Sequence, residues 1–476
     1  MQIPVKGLPR EQVLGTLQAF KSRDMDWKAG KVWCYVYNPG DDPNEVIKEA
    51  YLSFLTENGL DPTVFPSMLK LETDVVRMLA TLLRGDENVV GHLTTGGTES
   101  IMLAVKTARD RARALHPQIT QPEMVLPITA HASFHKAAHY LGLKPIVVDI
   151  NPETFKVEAK AMRAAITENT ILLVASAPCY SQGVIDPIDE IGALAQEKDL
   201  LFHVDGCVGG IHLSFMRKLG YELPDFDFTV PGVTSISADL HKYGYAAKGA
   251  SCVMYRSKDI RKYQIFACTD TTAYTLINPT VLSTKSGGPM AGAWAILNYL
   301  GEEGFMHIVE TVQEATRKLI EGVNAIPELK VLGEPAMCML SFKSDVINVY
   351  QLGDAMAKRG WYIQGQFSTP FTPRNLHISV NYGTTHQVEA LLKDLRECVD
   401  EVKQMDPIDS GSIRTMVNAA LQSPDPEAAF GHLAASAGLA GTDLPDEMAF
   451  INEVLDALPD DLCNVFLVNY FNDLYV

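Results

Sequence analysis

Short apolar segments alternate with amphipathic helical segments through the middle of the chain. Because hydrophobicity is continuous rather than alternating along these segments, we expect strands that are covered on both faces. The periodic segments between them, such as Asp189–Lys198, predict crossover helices. The pattern therefore predicts an α/β fold with a mostly parallel sheet over residues 61–310. The predicted strands are Met124–Ile128, Pro145–Ile150, Ile171–Ala175, Leu200–Val204, Thr234–Ser237 and Gly249–Tyr255.

The pattern changes on both sides of this region. Residues 1–60 predict an N-terminal arm of helical segments around the aromatic run Trp33–Tyr37. Residues 311–403 shift to alternating strands such as Leu376–Val380, which predicts a small C-terminal α+β domain. Residues 404–476 form a tail with a Gly/Ala-rich stretch and acidic helical segments, and the sequence assigns this tail no clear role.

Composition narrows the classes of partner. The 476 residues carry a net charge of −18 without an offsetting basic stretch, which argues against nucleic acid and anionic membranes as partners. The eight cysteines are scattered, with neither CxxC pairs nor metal-ligand spacing, which predicts free thiols, a cytoplasmic location and no metal site. The first residues lack the apolar core of a signal peptide, and no apolar run reaches 18 residues, so we expect no integral membrane segment.

Candidate chemistry is concentrated in the segment Ser237–Tyr245, where Lys242 directly follows His241. Lysine is the side chain that forms imines with carbonyl groups. At a strand end it can be desolvated, which would lower its pKa and free the neutral amine. Most His-Lys pairs are solvated surface residues, so this assignment depends on further residues elsewhere in the chain.

Three other segments supply such residues. The apolar run before Asp205 indicates a buried strand with a carboxylate at its C-terminal end, which could keep a pyridine nitrogen protonated or cap the next helix. Gly96-Gly97-Thr98 opens a periodic helix, where backbone N–H groups can bind an anion. The same residues would also suit an ordinary glycine turn that binds no ligand. Because the run fits neither the Walker pattern nor the dinucleotide fingerprint, a phosphate monoester is the better ligand. His131 follows a strand and could stack on a flat ring or cap a helix.

In this order, the four segments predict a site for pyridoxal 5'-phosphate. The chain resembles the pyridoxal-phosphate-dependent group II decarboxylase superfamily and, within it, most closely the sphingosine-1-phosphate lyases. The likeness runs from about Trp27 to Glu401. It implies the aspartate aminotransferase-like fold (fold type I), a cofactor joined to Lys242, and a homodimer whose active sites are shared between subunits. The motifs that carry it are Phe65-Pro66, Lys70–Glu72, Val75–Met78, Thr95–Ser100, His131–Ala138, Gly183–Pro187, His203–Asp205, Gly232–Asp239 and His241–Gly249.

Together, the motifs and the resemblance assign three sets of residues. The predicted cofactor-binding residues are Lys242, Gly96, Gly97, Thr98, His131, Asp205, Cys207, Ser237 and His241. The predicted catalytic residues are Lys242, His131, Asp205, Tyr180 and Tyr37. The predicted substrate-binding residues are Tyr37, Asn58, Asp61, Lys248, Lys285 and Arg414.

The resemblance leaves three functions open. A lyase would cleave a phosphorylated long-chain amino alcohol by retro-aldol chemistry into a fatty aldehyde and phosphoethanolamine. An L-amino-acid decarboxylase of the tyrosine, aspartate or glutamate type is the alternative, because Asp61 stands where the lyases have histidine and Lys285 where they have arginine. Lys248, retained as in the lyases, would contact a phosphate, or be a solvated turn lysine. A cofactor-carrying protein without catalysis is a third possibility, against which the intact Lys242, Asp205 and His131 argue.

Overall fold

The fold is described from a computed structural model, which describes residues 2–272, 274–425, 429, 431 and 447–475. The whole predicted Gly/Ala-rich stretch, residues 432–442, lies outside the described residues. Among the residues that are described, no helix is both long enough and apolar enough to cross a lipid bilayer.

A seven-stranded sheet forms the centre of the molecule. Its order is β1-β7-β6-β5-β4-β2-β3, and the neighbours from β6 to β3 are all parallel, whereas β7 runs antiparallel to both β1 and β6. The predicted α/β class with a mostly parallel sheet is therefore confirmed. The strands are β1 (Val90–Thr94), β2 (Glu123–Pro127), β3 (Lys144–Val148), β4 (Thr170–Ser176), β5 (Leu201–Asp205), β6 (Ser235–Ala238) and β7 (Ser251–Tyr255).

The central strands are covered on both faces, as their continuous hydrophobicity predicted. Every residue of β2, β4, β5, β6 and β7 is buried. Packing of the helices on this sheet removes its apolar area from water, which is the main favourable term for this part of the fold. The helices up to the end of the sheet are α1 (Arg10–Phe20), α2 (Asp41–Ser53), α3 (Pro66–Leu82), α4 (Gly97–Leu115), α5 (Ala132–Leu141), α6 (Ala159–Ala165), α7 (Ile188–Glu197), α8 (Gly209–Lys218) and α9 (Lys258–Arg261).

A second, antiparallel sheet follows in the C-terminal half, in the order β10-β11-β13-β12. Helix α10 (Gly287–Asn324) connects the two halves and is interrupted at Gly301, whose φ of 56° and ψ of −172° are not helical. The predicted division between residues 310 and 311 falls inside this helix, so no turn marks it. The other elements here are β8 (Phe266–Cys268), β9 (Leu276–Asn278), β10 (Lys330–Val331), β11 (Met339–Lys343), α11 (Val349–Lys358), β12 (Gln364–Gln366), β13 (Asn375–Ser379) and α12 (Val388–Val402).

The described part of the tail is helical, with α13 (Ser410–Leu421), α14 (Ala449–Ala457) and α15 (Asp460–Leu474). Its apolar residues, including Ile413, Val417 and Ile451, form a small cluster of their own. At the opposite end of the chain, α1 buries none of its residues.

Candidate active site

A cavity of about 560 Å³ opens where the carboxyl ends of the parallel strands meet. Ser176 ends β4, Asp205 ends β5 and Asp239 follows β6, and all three line the cavity. The carboxyl edge is where open α/β sheets place their ligands. The cavity also brings together most of the predicted residues, namely Tyr37, Gly96, Gly97, Thr98, His131, Tyr180, Cys207, His241, Lys242 and Lys248.

Lys242 lies in the turn after β6 and forms a buried ion pair with Asp239. The distance from Nζ to Oδ2 is 3.0 Å, and the Asp239 side chain is only 1% exposed. Burial by itself would lower the pKa of Lys242, but the Asp239 carboxylate outweighs burial and raises it above its usual value. The expectation that desolvation lowers the pKa of this lysine is therefore wrong for this structure.

Asp205 is fixed by two donors at the end of β5. Its Oδ1 accepts a hydrogen bond from the Cys207 backbone N–H (3.0 Å) and one from the Ser237 hydroxyl (3.3 Å). It does not cap α8, which begins at Gly209 without a side-chain cap. Ser237 itself is fully buried and does not line the cavity, so its contribution to cofactor binding would act through Asp205 and Cys207.

The Gly96-Gly97-Thr98 turn opens α4 towards the cavity. Gly96 precedes the helix without a side-chain cap, so the first backbone N–H groups remain available for an anion. An ideal Cβ at Gly97 would lie 2.8 Å from Asp239 Oδ2 and 2.8 Å from the Cys207 sulfur. Only glycine fits there, because any side chain would collide with these groups.

His131 combines the two roles that the sequence left open. It caps α5, because its Nδ1 accepts the Ser133 backbone N–H at 3.2 Å, and it also lines the cavity. Burial lowers the pKa of His131, although the nearby charge of Asp205 opposes this shift. A neutral ring that accepts at Nδ1 carries its proton on Nε2.

Lys248 and four polar side chains form another wall of the cavity. Lys248 Nζ donates to the Tyr35 carbonyl oxygen at 2.8 Å and lies 4.8 Å from the centre of the Tyr37 ring. The Tyr180 hydroxyl donates to Gln364 Oε1 at 2.5 Å, and Gln364 Nε2 donates to the Tyr35 hydroxyl at 2.7 Å. Burial raises the pKa values of the Tyr37 and Tyr180 hydroxyls, so both stay protonated near neutral pH.

Four predicted substrate residues lie outside this lining within a single chain. Asn58 Oδ1 accepts from the Lys285 backbone N–H, and Lys285 Nζ forms a buried ion pair with Glu72 at 2.7 Å. Asp61 is exposed and bonds to the following turn, and Arg414 is exposed on α13. Their contacts with substrate stay predictions.

The cavity also contains residues that the sequence did not single out, among them Tyr35, Asp239 and Gln364. Asp239 stands three residues before Lys242, a spacing that could have drawn attention to it. Tyr35 belongs to the aromatic run of the arm. Gln364 has no local signal, because it reaches the cavity from β12 of the second sheet.

The residues present fit pyridoxal 5'-phosphate. A lysine amine, a strand-end carboxylate, an imidazole and an uncapped helix start line one cavity, and these are the groups that an aldehyde, a pyridine nitrogen, a flat ring and a phosphate require. The absence of a side chain at Gly97 keeps the helix start open to a ligand.

Comparison with known proteins agrees with this site. Residues 27–345 match the family described as "Pyridoxal-dependent decarboxylase conserved domain", and residues 415–473 match a "Pyridoxal-dependent enzyme, C-terminal putative HTH domain". The sphingosine-1-phosphate lyase of Oryza sativa is 41% identical over 89% of this chain and 79% of its own. A probable L-aspartate decarboxylase of Pyrococcus furiosus is 34% identical over 76% of this chain and 95% of its own.

Solved structures show the same fold. The sphingosine-1-phosphate lyase of Burkholderia pseudomallei superposes with a TM-score of 0.81 at 36% identity, covering 89% of this chain and 97% of that one. A glutamate decarboxylase of Lactobacillus brevis superposes with a TM-score of 0.76 at 19% identity, over 86% and 96% of the two chains. The fold is thus the fold type I predicted by the resemblance, and pyridoxal 5'-phosphate is the cofactor. The chain belongs to the pyridoxal-dependent decarboxylase family.

Proposed function

We propose that this enzyme is a carbon–carbon lyase of the sphingosine-1-phosphate lyase type. It would cleave a phosphorylated long-chain amino alcohol into a fatty aldehyde and phosphoethanolamine. The observation that carries this proposal is Lys248, whose ammonium faces the cavity with only the Tyr35 and His241 carbonyl oxygens and the Tyr37 ring as described contacts. A cation without a carboxylate partner among the described residues is suited to an anionic substrate group.

Different side chains of the cavity would have different roles around the cofactor. The bound cofactor supplies an electron sink for the bond that breaks at the amine-bearing carbon. Asp205 would hold a proton at the ring nitrogen, His131 would lie against the ring, and the start of α4 would bind the phosphate. Tyr37 and Tyr180 keep their protons. Tyr37 would orient the substrate as a hydrogen-bond donor, whereas Tyr180, which donates to Gln364, would offer its oxygen as an acceptor.

Decarboxylation of an L-amino acid is the second candidate. The observation in its favour is the 34% identity with a probable L-aspartate decarboxylase, together with Asp61 at the position where lyases have histidine. Both reactions break a carbon–carbon bond at the same carbon, so the charged group that orients the substrate decides between them.

One assay separates the two candidates. The cofactor-loaded enzyme is incubated with sphingosine 1-phosphate and, separately, with L-aspartate, L-tyrosine and L-glutamate. We expect fatty aldehyde and phosphoethanolamine in equal amounts from the first, and no carbon dioxide from the others. Carbon dioxide from an amino acid without aldehyde from the lipid would overturn the lyase assignment. The Lys242→Ala variant is the control and should form neither product.

We also propose that the enzyme is a homodimer whose active sites are shared between the subunits, and that it is located in the cytoplasm. The support for the homodimer is a set of exposed apolar side chains on the arm and in two later segments, residues 64–69 and 266–282, which a second copy would cover. The eight cysteines are all free, in keeping with a reducing compartment. Sedimentation should show a dimer, and an active monomer would contradict this part. The exposed residues are Leu52, Leu55, Val64, Leu69, Phe266, Ile277, Val281 and Leu282.

A further inference from the structure

Gln364 connects the cavity with an edge of the second sheet. Its amide lies between the Tyr180 and Tyr35 hydroxyls, accepting from the first and donating to the second. An amide has further hydrogen-bonding capacity beyond these two bonds. A group of this kind on the cavity wall can orient a polar substrate as long as its own backbone is held in place.

The backbone of Gln364 belongs to β12, which is the edge strand of its sheet. Within the described residues, β13 is the one strand that pairs with it. Helix α14 from the C-terminal tail lies close to the middle of β12: an ideal Cβ at Gly365 would lie 3.4 Å from Asn452 Nδ2. Two residues after β12, Asp456 Oδ1 accepts both the backbone N–H of Ser368 (2.5 Å) and its hydroxyl (2.9 Å).

Helix α14 is itself fixed to the second domain by buried charges. Arg374 pairs with Glu453 and, at 3.4 Å, with Asp456, whose side chains are only 2% and 1% exposed. Asp354 accepts the first backbone N–H groups of the helix, those of Met448 (2.9 Å) and Ala449 (2.8 Å). Buried carboxylates are costly unless they are paired, so this contact has one strongly preferred geometry.

The charge of the tail points away from nucleic acid, although the matching family model describes this segment as a putative HTH domain. Helix-turn-helix domains that bind DNA depend on lysine and arginine to neutralise phosphates. Residues 415–473 contain neither lysine nor arginine. They contain the carboxylates of Asp425, Glu427, Asp443, Asp446, Glu447, Glu453, Asp456, Asp460, Asp461 and Asp473.

We propose that Gln364 is a substrate-positioning residue and that α14 of the C-terminal tail sets its position through Asp456 and β12. The C-terminal segment is then a part of this enzyme's own substrate site rather than a nucleic-acid module. This inference rests on the proposed function only in taking the cavity as the substrate site. It holds for either of the two candidate reactions.

The test is a double-mutant cycle on the cofactor-loaded, full-length enzyme, with the substrate that the wild-type enzyme turns over. Asp456→Asn keeps the shape of the side chain but weakens the acceptor for Ser368. We expect a rise in KM of about fivefold or more, with kcat within about twofold and an unchanged cofactor absorbance. Gln364→Ala should raise KM similarly, and the double variant should show no further rise, because both changes act through one amide.

A matched control is Glu447→Gln, which removes a more than 60%-exposed ion pair with Lys358 from the same segment. It should leave KM unchanged. Additive effects of Asp456→Asn and Gln364→Ala, or an unchanged KM in either single variant, would overturn the inference.

Hydrogen exchange gives a second measurement that needs no substrate. In Asp456→Asn, amides of residues 364–368 should exchange faster than in the wild type, whereas Glu447→Gln should leave them unchanged. Equal exchange in all three proteins would overturn the inference even if the proposed reaction proved wrong. Binding of the full chain to duplex DNA at low salt would also overturn it.

Discussion

Lys242 Nζ lies 3.0 Å from Asp239 Oδ2, and the turn of α4 that opens at Gly97 packs against the same carboxylate. Lys242, which we propose joins the cofactor, is therefore held as a cation by a buried partner when the cofactor is not attached. Attachment requires a neutral amine, so this ion pair opposes the first chemical event at the site.

Replacement of Asp239 by asparagine should accelerate attachment of the cofactor to Lys242. Without the carboxylate, burial lowers the pKa of the lysine, and more of it is neutral at pH 8. The rate of attachment, followed by absorbance, should rise with pH at a lower midpoint than in the wild type. A faster rate with an unchanged pH midpoint would instead indicate that the variant removes repulsion between the Asp239 carboxylate and the cofactor phosphate. An unchanged rate would contradict the role of the ion pair between Lys242 and Asp239.

The same variant should also destabilise the cofactor-free protein, because it leaves a buried cation without its partner. We expect the free energy of unfolding, measured in urea, to fall by about 2–3 kcal/mol. This is the lower end of the range for buried ion pairs, because the Lys242 side chain is 24% exposed. The pKa of Lys242 is raised above 10.5 and that of Asp239 is lowered below 3.8, so the pair contributes between these pH values. The difference from the wild type should be complete between about pH 3.8 and 10.5, and it should shrink as the pH falls towards the lowered pKa of Asp239 or rises towards the raised pKa of Lys242.

Gly97→Ala should weaken cofactor binding by at least about tenfold. The new methyl group would meet Asp239 and the Cys207 sulfur at 2.8 Å, at the place where the helix start faces the ligand. Gly96→Ala is the matched control, because its methyl group would meet only His241, at 3.4 Å, and its backbone is extended. Titration of both cofactor-free variants with pyridoxal 5'-phosphate measures the difference. Affinities of both variants equal to that of the wild type would show that the turn does not contact the cofactor.

Lys248 should make the KM for a phosphorylated substrate dependent on pH. Burial, reinforced by the charge of Lys242, lowers the pKa of Lys248 to about 8. The ammonium is therefore present below pH 8 and lost above it, whereas a phosphomonoester keeps its two charges over this range. We expect KM to be level near pH 7 and to rise above pH 8.

Two variants of Lys248 test this assignment. Lys248→Met should raise KM at pH 7 by about tenfold or more, because the anion loses a charged donor. Lys248→Arg should keep a charge at every pH used, so the rise above pH 8 should disappear. A pH profile that is the same in all three proteins would show that Lys248 does not contact the substrate.

The parts of the site that could be predicted from the sequence are those with a local signal. Asp205 ends an apolar strand and Gly96 opens a periodic helix, and parallel strands bring their carboxyl ends to one edge. The only local signal for Asp239 was its spacing from Lys242. Its effect on the pKa of Lys242 depends on how the turn between the two residues folds. Gln364 had no signal, since tertiary packing alone brings it from the second sheet to the cavity.

The fold was also predictable where its strands have a local signal in the sequence. The two features of the sheet that were missed have physical causes. The strand β7 is as apolar as its parallel neighbours, and hydrophobicity does not report direction, so its antiparallel orientation was missed. The strand β1 was missed because Gly91 and His92 interrupt its apolar run.

Lys285→Met should destabilise the protein without changing KM, because Lys285 is engaged with Glu72 rather than with the cavity around Lys242. Burial would raise the pKa of Glu72, but His92 and Lys285 together lower it to about 2. Removal of the lysine should cost about 3 kcal/mol in urea unfolding at pH 7. The Glu72 contribution is complete above pH 4.5 and is lost as the pH falls towards 2, so the difference from the wild type should shrink in acid.

Lys70→Met, which removes an exposed pair with Asp74, should cost at most about 1 kcal/mol. A large rise in KM with normal stability would instead support the substrate contact that the sequence predicted for Lys285.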